Sequence, residues 1–180
     1  MSVVDSAPRE RRKVPAAVTA AGLLVAWGVL IVAVPYVPTS AEIRPVVLFV
    51  HLAALVLGFG AVLTVDWFGL MWMLGRQDLV TLVSVARVVQ TPIWIGLSVL
   101  VVSGALLSPD TSSPLTVVKL IAVLAVALNG QWAERVQERL AATSGAQPSR
   151  RLLAAAVSVA AISQVGWWTA TLVGFISAQR

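Results

Sequence analysis

The chain contains no cysteine, one histidine and one tyrosine, and only 12% of its 180 residues carry charge. Each scarcity excludes something. Without cysteine there are no disulfides, no thiolate metal sites and no thiol redox chemistry. With His51 as the sole histidine, a haem held by two histidines within one protomer is excluded, and zinc or copper sites built from three or four N or S ligands lack their donors. So little charge, set against 58% hydrophobic residues, leaves too little polar surface to coat a soluble globule of this length. A mean hydropathy of +0.90 says the same: the chain uses lipid as solvent.

The formal charge of +5 and a pI near 11.1 resemble a nucleic-acid signature. The basic residues, however, flank apolar runs instead of forming a stripe interleaved with aromatics. Anionic lipid headgroups are therefore the expected partner, and no nucleic acid is expected.

A helix needs roughly 20 apolar residues to cross a hydrocarbon layer about 30 Å thick. Five segments qualify, at about 14–34, 46–74, 79–107, 115–134 and 152–176. Five spans without period-2 alternation do not close a barrel, so the predicted fold is all-α: a polytopic, five-helix membrane domain over 14–178 behind a polar tail at 1–13. Pro35 and Pro38 close the first span, and Gly75 with Arg76 ends the second. Pro92 predicts a kink in the third, whose earlier part, Leu79–Gln90, carries Thr81, Ser84, Arg87 and Thr91 as a polar stripe suited to the interface. The fourth span is expected to run on as QWAERVQERLAATSG, stopped by Gly145 and Pro148, and TSGAQPSRR is the one linker.

Lysine and arginine orient the array. Arg9, Arg11, Arg12, Lys13, Arg76, Arg87, Arg135, Arg139, Arg150 and Arg151 fall on one side, and Arg44, Lys119 and Arg180 on the other. Ten against three predicts a cytoplasmic N-terminus and, with five spans, an external C-terminus, in the cell membrane. Trp67, Trp72, Trp94 and Trp132 sit near the expected cytoplasmic ends, at headgroup level. A signal-sequence reading of the first span is the alternative, given its basic approach and the small residues Thr39, Ser40 and Ala41 behind it.

Polar residues inside the spans are the candidate functional residues. His51 and Asp66 share the second span but lie about 22 Å apart along it, so they belong to different sites. Asp66 reads either as an interfacial anchor paired with Arg76 or Arg87, or as a proton or cation site. His51 shares a helix face with Leu55, Gly58, Val62 and Val65, where Gly58 would admit a neighbouring helix or a flat cofactor. Lys119 enters the fourth span at a similar depth. Neutral imidazole is a good axial ligand for haem iron, and Lys119 with Arg44 would hold a propionate or other anion. The competing reading makes His51 a hydrogen-bond partner between helices. Asn129, Gln131, Ser98, Ser103, Ser163 and Gln164 read as interhelical hydrogen bonders, Gly96, Ser103 and Gly104 as close helix contacts, and Gln164 with Trp167 and Trp168 as a cavity wall.

The run HLAALVLGFGAVL, followed after a further span by PLTVVKLIAVLAVALNG, resembles small integral-membrane proteins of the bacterial protoporphyrinogen oxidase family and the copper-resistance D family. In the former a membrane histidine and a lysine opening a later helix are associated with haem, and His51 and Lys119 are the matching positions. The resemblance covers about residues 46–130 and implies a haem-binding membrane protein with oxidoreductase chemistry. It departs at Asn129, where such families tend to carry another histidine, and at Asp66 and Trp67, where they carry an arginine-rich close. Two other functions remain open from the residues themselves: a small transporter or ion-translocating protein lined by Asp66, Asn129 and Gln164, and a non-catalytic subunit packing into a homo-oligomer or larger membrane complex.

Overall fold

The computed structural model describes residues 16–33, 36, 40–143, 147–177 and 179. Among these the chain is all-helical: α1 (Ala16–Ala33), α2 (Arg44–Met73), α3 (Leu79–Leu106), α4 (Pro114–Ala141) and α5 (Arg150–Ser177). The last four are long and apolar enough to cross a membrane. At 28 residues such a helix is about 42 Å long, more than the hydrocarbon layer. The described part of α1 is apolar but shorter, at 18 residues. Its expected closure at Pro35 and Pro38, and that of α4 at Gly145, lie outside the described residues.

Local chemistry sets the helix ends. Pro45 and Pro114 stand in the first turns of α2 and α4, where a missing N–H costs no intrahelical bond. α2 stops at Gly75, whose φ of 68° is left-handed. There Gly75 N–H donates to the Trp72 carbonyl (2.9 Å) and Arg76 N–H to that of Met71 (2.8 Å), so two otherwise orphaned acceptors are satisfied. Asp78 then caps α3, its carboxylate accepting from Thr81 N–H at 2.6 Å. Before α4, Asp110 likewise accepts from the backbone N–H and the hydroxyl of Ser112. These bonds hold both carboxyls below the usual aspartate range.

Pro92 lies inside a continuous α3 and leaves the Val88 carbonyl without its usual donor four residues on. The preceding turns are packed into the protein: Val83 is buried, and its carbonyl accepts from Gln137 of α4. α4 continues past Trp132 to Ala141.

α2 packs most extensively on α3, and α4 on α5; these two hairpins meet through α3 with α4 and α2 with α5, and α1 lies along α4. Small residues make both hairpin seams. A Cβ on Gly96 would stand 2.6 Å from Gly58 Cα and 2.8 Å from the Ala54 carbonyl, so the α2 and α3 backbones touch there. Gly166 of α5 faces the Ala122 carbonyl and Val126 of α4 in the same way. Where lipid tails are as apolar as leucine, close backbone approach of this kind is a main source of helix association. The buried core is Phe59, Val62, Leu97, Val126, Ala127 and Trp167, with the Phe59 and Trp167 rings stacked at 5.6 Å and Trp168 edge-on to Phe59 at 5.1 Å. The outward faces are apolar: Phe49 is 72% exposed and Val56 74%, as lipid contact requires.

Gly96→Val therefore forces the α2–α3 seam apart and costs about 1–3 kcal/mol, read as a lower unfolding temperature in detergent. Gly60→Ala, with nothing within 4 Å of the added methyl, leaves that temperature unchanged or raises it. At the α3 cap, the Thr81 amide-proton shift follows Asp78 ionisation with a midpoint below that of an unpaired aspartate. The capping contribution is complete above the ordinary aspartate range and is lost as pH falls through the lowered value. Asp78→Ala abolishes the transition.

Candidate functional site

The polar residues within the helices gather at two levels, on either side of the Gly58–Gly96 contact. At the first, His51 reaches across the α2–α3 seam and its Nδ1 lies 2.9 Å from Ser103 Oγ. The Ser103 hydroxyl has one proton and donates it to the Val99 carbonyl in its own helix. Its oxygen is thus the acceptor, Nδ1 carries the imidazole proton, and Nε2 is left with its lone pair. The imidazole lies against Gly104, where a Cβ would meet His51 Cε1 at 3.2 Å. Ser103 is 3% exposed, and His51 and Lys119 are half-buried. Lys119 stands in the first turns of α4. Arg44 is exposed at the start of α2. Gly58 faces Gly96 and the Trp167 ring, so of the two neighbours its missing side chain admits, a helix is the one present.

At the second level the helices stand apart around a cavity of about 690 Å³ walled by α2, α3, α4 and α5. Asp66 lies in its wall and accepts a hydrogen bond from the Gln164 amide of α5; Gln164, not Arg76 or Arg87, is its partner. Across the wall Trp94 Nε1 donates to Glu134 Oε1 at 2.7 Å, and its ring lies over Gly130, which leaves room for it. Asn129 Nδ2 donates to the Val159 carbonyl at 2.9 Å, which ties α4 to α5, while its buried Oδ1 has no protein partner. The Trp167 indole N–H is also buried and unpartnered. Asn129 and Trp167 are 7% and 3% exposed, and both line the cavity.

The structure thus brings Asp66, Asn129, Gln164 and Trp167 to one cavity and keeps them apart from His51 and Lys119. Trp168 packs on Phe59 and is not among the lining residues. Glu134 was missed by sequence reasoning because it reads as part of a charged helix extension beyond the membrane. Its spacing of four from Gly130 was the available signal, since it places a carboxylate and a gap on one helix face. Gln90 and Gln137 line the cavity as well, the first two residues before Pro92 and the second within the same extension. Among the described residues, no three of His, Asp and Glu gather as a metal-holding group.

No family model, curated protein or solved structure matches the chain.

Because His51 is the only histidine, a sample labelled with ¹⁵N-histidine gives one pair of ring nitrogens. The expected spectrum is a protonated, hydrogen-bonded Nδ1 with a bare Nε2, and Ser103→Ala moves the Nδ1 resonance. A wild-type spectrum with the proton on Nε2 contradicts this geometry.

Proposed function

We propose that this chain is a multi-pass protein of the cell membrane that carries a small solute or ion, using the cavity between its two hairpins as the binding site. The observation that carries the reading is the convergence of Asp66, Asn129 and Gln164, from three different helices, on one cavity of about 690 Å³. That volume is in the range of small-molecule sites, and an apolar enclosure with a few convergent polar groups is their usual chemistry. An ionisable residue within a membrane helix is costly, and Asp66 with only an amide as partner serves structure poorly. The ten-to-three asymmetry of lysine and arginine supports a cytoplasmic N-terminus, an orientation that, with five spans, would set Asp66 and the cavity in the cytoplasmic half and the C-terminus outside.

A second reading, haem or a related porphyrin on His51, has one observation in its favour. With Nδ1 engaged by Ser103, Nε2 is the nitrogen free to ligate iron, and Lys119, half-buried in the first turns of α4, would serve an anionic substituent. Oxidoreductase chemistry at that site follows only from the resemblance to the protoporphyrinogen oxidase family.

Carriage requires that the cavity be reached from both membrane faces in turn. The chain's lack of cysteine makes Ser163→Cys, in the cavity wall, a unique probe. In oriented vesicles a membrane-impermeant maleimide is expected to modify it from either side. Modification from one side only leaves a binding pocket and removes the carrier.

A further inference from the structure

The charges and partners of the cavity wall narrow what it takes. Among the described residues lining it, Asp66 and Glu134 are the only ones with ionisable carboxyls, amines, guanidines or imidazoles, and none is a lysine, arginine or histidine. Each carboxyl is held by a neutral donor, the Gln164 amide for Asp66 and the Trp94 indole N–H for Glu134. Such donors occupy one lone pair each and supply no counter-charge, which leaves both carboxyls open to pairing with a bound cation. Trp72, Trp94 and Trp167 add aromatic surface to a lining that is otherwise mostly aliphatic. Indole is the strongest of the side-chain partners for an organic cation.

The same wall argues against other classes. An anion meets only negative ionisable groups. A sugar needs polar contact over most of its surface, whereas the surface this lining exposes is overwhelmingly apolar. Calcium takes six to eight oxygens and magnesium near-octahedral coordination, whereas two carboxyls on different helices, with no third acidic or histidine group gathered beside them among the described residues, do not build that shell. The buried Asn129 Oδ1 lacks a donor, which an ammonium N–H or a ligand hydroxyl would supply.

We infer that the cavity binds a lipophilic organic cation, its apolar body against the tryptophans and aliphatic wall and its charge toward Asp66 and Glu134. The inference rests on reading the cavity as a solute site, but it concerns binding and is measured apart from passage across the membrane.

The probe pair is tetraphenylphosphonium and tetraphenylborate, which have similar shape and opposite charge. Each is titrated by equilibrium dialysis against the protein in lipid nanodiscs, with empty nanodiscs as the partition control. Saturable binding of the phosphonium and none of the borate is expected, with at least tenfold weaker phosphonium binding in Asp66→Asn and several-fold weaker binding in Glu134→Gln. Equal saturable binding of both ions, tighter binding of the borate, or no saturable binding of either overturns the inference. So does unchanged phosphonium affinity in a folded Asp66→Asn protein. Should that variant fail to fold, the wild-type charge comparison and Glu134→Gln still decide. Charge-selective binding in a protein whose Ser163→Cys variant is labelled from one face only keeps the cation site and removes the carrier; two-sided labelling without cation selectivity does the reverse.

Discussion

The backbone contact between Gly58 and Gly96 is the constraint on which the rest of the molecule depends. With no side chain on either residue, α2 and α3 approach until a Cβ on Gly96 would overlap its neighbour. His51 stands two turns from that point along α2 and Asp66 about two turns the other way. The close approach brings the His51 ring within hydrogen-bonding distance of Ser103 and onto Gly104. It also admits the Trp167 ring beside Gly58, so α5 is positioned by the same gap. One pair of glycines therefore sets both the imidazole site and the inner limit of the cavity.

Small residues bring the helices together at the His51 level and in the middle, and bulkier ones hold them apart at the Asp66 level. Ala54, Gly58, Gly96, Ser103 and Gly104 form the close seam, while Trp72, Leu82, Trp94 and Leu140 line the wide part. Helices that pack densely at one end and splay at the other enclose volume without any loop folding inward, and the backbone polar groups stay satisfied within each helix. The polar side chains in the splayed region then have to find partners across the gap. Gln164, Trp94 and Asn129 do so, whereas Trp167 Nε1 and Asn129 Oδ1 do not.

The helical class and the four long apolar helices could be read from composition and run length, since nothing but a helix satisfies twenty apolar peptide groups in lipid. The stop at Gly75 was equally readable, because it depends on local backbone chemistry, and the starts of α2 and α4 fall within two residues of the onset of their apolar runs. Partners were not. A helix apolar around its whole circumference gives no periodic signal of which face meets protein, so Asp66 looked as suited to Arg76 or Arg87 as to Gln164, 98 positions away. Ser103 was readable as a contact between helices, but not as the group that fixes the histidine proton. Glu134 was hidden by the charged residues around it, which describe an exposed extension until the tertiary fold turns that one face inward.

The strong pairing of α2 with α3 and of α4 with α5, beside much sparser packing between the pairs, has a mechanical consequence. Each hairpin is stiff because its seam is backbone against small side chains, and opening it would forfeit close-packed contacts. The two hairpins share fewer such contacts and are joined through the short 107–113 segment, where Ser108 already takes a left-handed φ of 50°. The most compliant deformation is accordingly a rocking of one rigid hairpin on the other about that segment. Such a motion changes the width of the enclosure at constant helix geometry and leaves the glycine seams intact.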